Sequence, residues 1–475
     1  MLYVSIVLVG GASTAFSQKS PWPTSGGNNE SQKSPWPTSG GNSERQNKSP
    51  FSLSGVPLTT VAQSATWNPC HAPFATDPAS TCYFNSFLLA NSHGVLLHYS
   101  SVLGLNARSI SNLSLPLWSM PLGPAPSGRC FAFSSTDGVD DDEITALAVD
   151  SDARTVSAYV LASTNTKSPS GREKPTVVIS GVDYYSCFVQ LDSKSTMFAT
   201  QARSQPPSLH VIQQKSTEAV VTIALQPPSS GCILKTERDP VAHQHLYVFY
   251  TCGDASTILA AYAVTLPGSA LQDEAPPPSA TLLWHGVVGP DFNDYAATRT
   301  RLATTAGPSF LFWDTNGAQV QSEKRVGAYT AADGTLLFEA PITSSGNMGG
   351  SLATLLDASL NYAYVDAAAG GGGNISLVNS IGVTKWTTHI GGVGSTLIFA
   401  SAVLTQANNF LVLHYGLPGG LNTLAVVDAT TGETKVVNEG MVGILPPNVA
   451  EPILVEDDEV IVWLGGSNQI VHLTR

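Results

Sequence analysis

Charge is what this chain has least of. Charged residues make up 12% of its 475 positions, and 22 lysines and arginines face 35 aspartates and glutamates, a net charge of −13. A phosphate backbone needs a concentrated basic surface, so the composition argues against nucleic acid as a partner. Solubility must then rest largely on Ser, Thr, Asn and Gln, with glycans as an optional addition. The six cysteines include no C-x-x-C pair and no metal-type spacing. There is no G-x-S-x-G elbow. The Gly370 to Gly373 run is followed by no Lys-Ser/Thr, so it reads as a strand connection and not as a phosphate loop. After the first seventeen residues no stretch makes a convincing membrane helix.

Turn chemistry, by contrast, is abundant: 42 glycines and 31 prolines accompany an apolar content of 43%. Its organising unit is the run Leu424 to Val437, a β-rich stretch, an Asx/Gly turn from Asp428 to Gly432, and a second β-rich stretch. Asp and Thr can close such a turn locally and Gly can take the positive φ, so the run reads as a hairpin. Related hairpins run from Ala328 through Asp333 and Gly334 to Phe338, and from Ile375 through Gly382 to Trp386. Looser copies end at Trp284, Trp118 and Val221. A period of about 50 residues built only of short strands implies radial repetition of sheets.

The expected fold is therefore all-β, an eight-bladed β-propeller of four-stranded antiparallel blades spanning residues 51–475, with seven blades as the alternative. The last three β-rich runs, from Pro452, Glu459 and Gln469, lack a fourth strand. An incomplete blade leaves an open edge, so a strand from residues 51–68 is expected to close the ring.

Residues 1–17 resemble a signal peptide, with a short apolar run and small side chains at Ala15 and Ser17. Secretion or surface display follows as an expectation. It makes disulfides the natural use of the cysteines, and the expected pairs are Cys70–Cys82, Cys130–Cys187 and Cys232–Cys252, with buried free thiols as the alternative. It also gives meaning to the N-glycosylation sequons at Asn29, Asn47, Asn112 and Asn374. Residues 18–50 are rich in Pro, Gly, Ser and Asn and contain a fourteen-residue unit twice, Gln18 to Ser31 and Gln32 to Arg45. Neither unit favours a strand or a helix. Trp22 and Trp36 are candidate anchors on this propeller or on a neighbour, since a tryptophan with nothing to cover is costly to expose.

Other candidate sites weigh less. Asp137, Asp140, Asp141, Asp142 and Glu143 concentrate hard oxygen ligands suited to Ca²⁺, but without EF-hand spacing, so a solvated loop is the simpler reading. His243 and His245 alternate as a metal pair would on a strand, with no third ligand evident. Trp313, Trp463 and the pair Tyr184–Tyr185 could stack on sugars, although Trp313 and Trp463 sit inside apolar runs that suggest core packing.

The hairpin repeat resembles that of the eight-bladed quinoprotein-type propellers, in which a run like Ala-x-Asp-x-x-Thr-Gly-x-x-x-Trp recurs. The resemblance implies that Trp118, Trp284, Phe338 and Trp386 dock between blades near the glycine turn of the next, with Val436 or Val437 a weak substitute. The run from Trp36 to Arg45, followed by Ser49 to Phe51, is similar to the segment that often opens such propellers. Some members of that superfamily are dehydrogenases with pyrroloquinoline quinone and Ca²⁺ on the axis; others, such as the propeller subunit of the bacterial outer-membrane assembly machinery, carry no cofactor and bind partners. No two cysteines are adjacent here, and no residue set matches the metal ligands and base of the dehydrogenases. The resemblance thus implies a cofactor-free interaction or structural module, with no catalytic or cofactor-binding residues to name. An axial quinone- or Ca²⁺-dependent oxidoreductase, another enzyme with its site on the axis, and a carbohydrate-binding propeller are the alternatives.

Overall fold

The computed structural model describes residues 51–63, 87–90, 95–100, 104–120, 128–134, 142–150, 153–163, 177–186, 189–192, 195–213, 220–235, 241–242, 245–253, 256–266, 277–290, 299–303, 310–314, 325–341, 355–356, 361–367, 373–379, 381–390, 397–404, 409–416, 421–442, 453–464 and 469–475. All regular structure in them is β, arranged as eight antiparallel sheets. Strand β1 (Thr59–Gln63) comes first in the chain. The first sheet follows, with β2 (Phe87–Ala90), β3 (Val95–Ser100), β4 (Gly104–Ser109) and β5 (Asn112–Met120). The second holds β6 (Gly128–Ser134), β7 (Asp142–Asp150), β8 (Thr155–Ser163) and β9 (Val177–Ser180). The third holds β10 (Tyr184–Tyr185), β11 (Val189–Asp192), β12 (Ser195–Gln201), β13 (Ser208–Gln213) and β14 (Val220–Ala224).

The fourth sheet is β15 (Ile233–Leu234), β16 (Val241–Ala242), β17 (Leu246–Thr251), β18 (Ser256–Thr265) and β19 (Ser279–Pro290). The fifth is β20 (Arg299–Ala303), β21 (Phe310–Asp314), β22 (Arg325–Thr330) and β23 (Leu336–Pro341). The sixth is β24 (Leu355–Leu356), β25 (Tyr362–Ala367), β26 (Gly373–Val378) and β27 (Thr384–Ile390). The seventh is β28 (Leu397–Leu404), β29 (Asn409–Gly416), β30 (Leu421–Asp428) and β31 (Thr434–Val442). The eighth is β32 (Ile453–Glu456), β33 (Glu459–Leu464) and β34 (Gln469–Thr474), joined by β1. Leading strands of neighbouring sheets meet, as β6 meets β11, β11 meets β16, β20 meets β24, and β32 meets β2.

The expected architecture needs correction in two respects. None of the eight sheets is closed into a ring or barrel, and β1 closes none. It pairs with β34 alone, as the outermost strand of an open sheet in the order β1-β34-β33-β32. Among the described residues, backbone hydrogen bonds run mainly within a sheet, and neighbouring sheets meet chiefly through side chains. Nor are the sheets uniformly four-stranded. In the third, β10 and β11 both pair with β12; in the fourth, β15 and β16 both pair with β17. Each pair is one leading strand broken in two.

Face-to-face stacking of sheets explains the apolar strands. Strand β17 is buried on both faces. Its Leu246, Val248 and Tyr250 pack with Met197, Leu209, Val211 and Ile223 of the third sheet, while Tyr247 and Phe249 pack with Trp284, Tyr329 and Ala331 toward the fifth. A strand covered on both sides loses polar alternation, hence the run Leu246 to Tyr250. The buried phenols keep partners: Tyr250 and Tyr262 hydroxyls lie 2.8 Å apart, and Tyr262 donates to the Gln226 carbonyl at 2.7 Å. Cys232 and Cys252 form a disulfide in this core, with Cα atoms 4.0 Å apart, tying the approach to β15 to the end of β17. Cys70, Cys82 and Cys187 lie outside the described residues; Cys130 is in β6, but its side chain is not among those described.

His210 on β13 is a buried polar group in this stack. Its Nε2 is 2.8 Å from the Thr200 hydroxyl and its Nδ1 is 3.2 Å from the Thr222 hydroxyl, while its ring lies 5.0 Å from that of Phe198. Burial lowers its pKa from 6.5 to about 4, so it is neutral at pH 7. The unfolded chain takes up this proton near pH 6.5 and the folded chain only near pH 4. Its contribution is therefore complete above pH 6.5 and is lost as the pH falls toward 4. By pH 5 the loss should reach about 2 kcal/mol. Denaturant midpoints measured at pH 7 and pH 5 should differ accordingly, and His210→Gln should flatten that dependence; equal slopes in both proteins would contradict the assignment.

Candidate functional site: the seams between sheets

The described residues with a repeated, built geometry are those where the last strand of one sheet meets a glycine turn of the next. In the seventh sheet, Asp428 Oδ1 accepts from the N–H of Thr430 at 2.7 Å and of Thr431 at 2.9 Å, while the Gly432 N–H returns to the Asp428 carbonyl at 2.8 Å. In the fifth, Asp333 Oδ1 accepts from the Thr335 N–H at 3.0 Å and from the Thr330 hydroxyl, and Gly334 N–H donates to the Thr330 carbonyl at 3.0 Å. In the sixth, Asn379 Oδ1 serves the N–H groups of Ile381 and Val383, and Gly382 N–H donates to the Asn379 carbonyl. These are Asx turns, and all three glycines have positive φ, between 71° and 79°. The Thr431 N–H lowers the pKa of the Asp428 carboxyl from its ordinary value, and the Thr330 hydroxyl does the same for Asp333.

An aromatic ring of the preceding sheet covers each glycine. A Cβ on Gly334 would stand 2.5 Å from Trp284 Cδ2, one on Gly382 2.8 Å from Phe338 Cδ2, and one on Gly432 3.0 Å from Trp386 Cδ2. The indole N–H groups reach backbone: Trp284 donates to the Ala331 carbonyl at 3.1 Å and Trp386 to the Ala429 carbonyl at 3.0 Å. Each carbonyl lies three residues before its glycine. Phe338 covers its glycine in the same way but has no N–H to give. The sequence reading missed what aims these rings. Register shifts occur beside the aromatic where Trp118 faces Ala107, Trp284 faces Ala261, Phe338 faces Ala328 and Trp386 faces Leu377. Such bulges sharpen the local twist and redirect the side chain. Cross-strand register is invisible in one sequence, although an aromatic two or more residues past an Asx-Gly turn is a partial signal.

The other candidates scatter. Trp118 is buried in β5. Asp142 and Glu143 belong to β7, not to a loop, while Asp137, Asp140 and Asp141 lie outside the described residues. Among the described residues no group of three or more His, Cys, Asp or Glu side chains could hold a metal ion. His245 is half-buried beside Tyr247, and His243 lies outside the described residues. Tyr185 is buried and Tyr184 packs against the core of the third and fourth sheets; Trp313 and Trp463 lie in β21 and β33. Asn112 is exposed at the start of β5, and Asn374 sits on β26 with its Oδ1 3.2 Å from His389 Nδ1. Residues 1–50, with the signal-like run, Trp22, Trp36, Asn29 and Asn47, lie outside the described residues.

No protein-family model matches this chain, and no curated protein matches it in sequence. Solved structures do. The quinohemoprotein alcohol dehydrogenase ADHIIG from Pseudomonas putida HK5 superposes with a TM-score of 0.54 at 9% identity, over 93% of this chain and 80% of that one. The fold is propeller-like. BamB from Moraxella catarrhalis superposes at 0.47 and 10% identity, over 88% of this chain and 100% of that one; the BP39L lectin from Burkholderia pseudomallei does so at 0.43 and 11%, over 76% and 99%. At such identities the likeness to the dehydrogenase extends to fold alone.

The seams make an unequal prediction for two glycines. Gly334→Ala meets both a positive φ and the face of Trp284, and should cost about 2–4 kcal/mol. Gly181→Ala, with φ +76 but nothing within 4 Å, should cost only about 1 kcal/mol. Chemical denaturation of the two variants checks the ordering.

Proposed function

We propose that this protein is a non-catalytic, exported or surface-displayed propeller-like module that works by binding other proteins, including copies of itself through residues 18–45. The supporting observation is where apolar surface remains exposed. Leu283 and Val287 on β19, Leu336 on β23, Ile381 and Val383 at the start of β27, and Val436 on β31 are each at least 43% exposed. They lie on or beside the outermost strands of four consecutive sheets. Isolated exposed apolar residues need no explanation, but a series on neighbouring elements marks a contact surface. The Trp-Pro unit, present twice, supplies two anchors of the kind that raise avidity by multivalency.

Size-exclusion chromatography of the whole chain against a chain lacking residues 18–45 tests the self-association. The shorter protein should elute at roughly half the apparent mass or less, and an unchanged elution would sink this part of the reading. Export has its own readout. In a secretory host, Asn112 should carry a glycan, since it is exposed at a strand end, whereas Asn374 on a central strand should not. Peptide mass mapping before and after enzymatic deglycosylation distinguishes them, and an unmodified Asn112 on efficiently secreted protein would count against a glycosylated exported form.

A further inference from the structure

Four described seams pair a positive-φ glycine with the outer strand of the preceding sheet, and one of them is under-filled. Between the seventh and eighth sheets the glycine is Gly55, φ +74. It comes not from a hairpin but from residues 51–58, a strap laid over the eighth sheet. Ser52 N–H donates to Asp457 Oδ1 at 2.7 Å, Ser54 N–H donates to Asp458 Oδ1 at 2.7 Å, and Asp458 N–H donates to the Ser52 carbonyl at 3.0 Å. The strap also binds the seventh sheet: Leu58 N–H donates to the Val437 carbonyl at 2.7 Å, and Asn438 Nδ2 donates to the Leu58 carbonyl at 2.9 Å. The seam backbone is thus in place.

The ring is not. The position in β31 that matches Trp386 in β27 is Val436, and it is 46% exposed. Among the described residues, the nearest atom to a Cβ on Gly55 would be Lys435 Cδ at 3.7 Å, whereas aromatic atoms stand 2.5–3.0 Å from the other three glycines. Apolar area is exposed there, an aliphatic stem lies where a ring face lies elsewhere, and the chain entering this seam is the one that carries the Trp-Pro units. Trp36 precedes Phe51 by fifteen residues, a reach of up to about 50 Å, so its indole can return to Gly55 without strain. Closing a loop of that length is only logarithmically more costly than closing a shorter one.

We propose that the indole of Trp36 from the same chain fills the seam beside Val436 and Gly55, supplying in cis the aromatic that β31 lacks. Trp36 belongs to the unit nearer the strap. The unit carrying Trp22 is then left over for a second molecule, which is where the self-association proposed above would draw its anchor. The inference does not depend on that association.

Limited trypsin digestion of the full chain at low protein concentration reads the docking directly, because Lys33 and Arg45 flank Trp36. Trp36→Ala should raise cleavage after both by about tenfold. Val436→Trp, which places the ring on β31 as in the sixth sheet, should release the segment to the same extent, and Val436→Glu offers a second way to spoil the seam should the tryptophan disturb folding. Trp36→Ala combined with Val436→Trp should be no faster than either alone, and Trp22→Ala should match the natural chain. Unchanged cleavage in Trp36→Ala or in both Val436 variants would overturn the proposal. So would additive effects in the double variant. Protection that grows with protein concentration would overturn the same-chain assignment, because a second copy would then be supplying the ring.

Discussion

Backbone hydrogen bonding in this molecule is organised sheet by sheet, and side-chain packing carries most of what unites one sheet with the next. That constraint accounts for the composition of the strands and for the geometry of the turns. A sheet flanked on both faces must be apolar on both, as β17 is. At its outer edge, where stacking alone would let sheets slide, a ring of one sheet is set against bare backbone of the next. Only glycine offers such backbone, because a Cβ at Gly334 would collide with Trp284. The indole N–H adds direction to that contact by binding a fixed carbonyl, Ala331 or Ala429. Phe338 shows that contact with the ring suffices to build the seam without this bond.

Much of this was legible in the sequence because it is local. Asp428 to Gly432 announces its turn by residue type, since an Asx side chain must satisfy nearby N–H groups and glycine must take the positive φ. The apolar runs from Phe310, Pro452 and Glu459 coincide with strands for the same reason. What escaped is non-local. The run Gly128 to Ser134 has mixed composition and becomes a strand only by pairing with β7. The split leading strands of the third and fourth sheets depend on how two segments share β12 and β17. The register shifts beside Trp284 and Trp386 arise from the two strands together, and neither strand encodes them alone. The idea of a ring closed by an N-terminal strand failed on the same ground: β1 adds an edge to one open sheet, and the pairing stops there.

The candidate site was less legible than the fold. The resemblance of the hairpin repeat to a known family implied that the aromatics sit at seams, whereas the acidic run at Asp137 to Glu143, read as a loop with Ca²⁺ as the lesser alternative, places its last two residues in a strand. The difference is physical. Packing positions repeat with the architecture and leave a periodic trace, but a binding surface on a rim need not repeat, and exposed residues such as Ile381 and Val383 look in sequence like ordinary turn neighbours. The likeness to the solved dehydrogenase structure, at 9% identity, likewise extends to the fold alone.

The pairing of Thr59 with Thr474 has a consequence for how the chain is made. These partners are separated by 415 residues. During synthesis from the N-terminus, β1 emerges early and has no partner until nearly everything else has been translated. The first seven sheets can assemble in order from segments close in sequence, but the eighth must wait, with an unpaired strand held in the interval. Contacts of such long separation are the slow ones in folding. An exposed strand edge is also the feature other chains pair with most readily. The interval between emergence of β1 and emergence of β34 is therefore the period in which this protein is most open to mispairing.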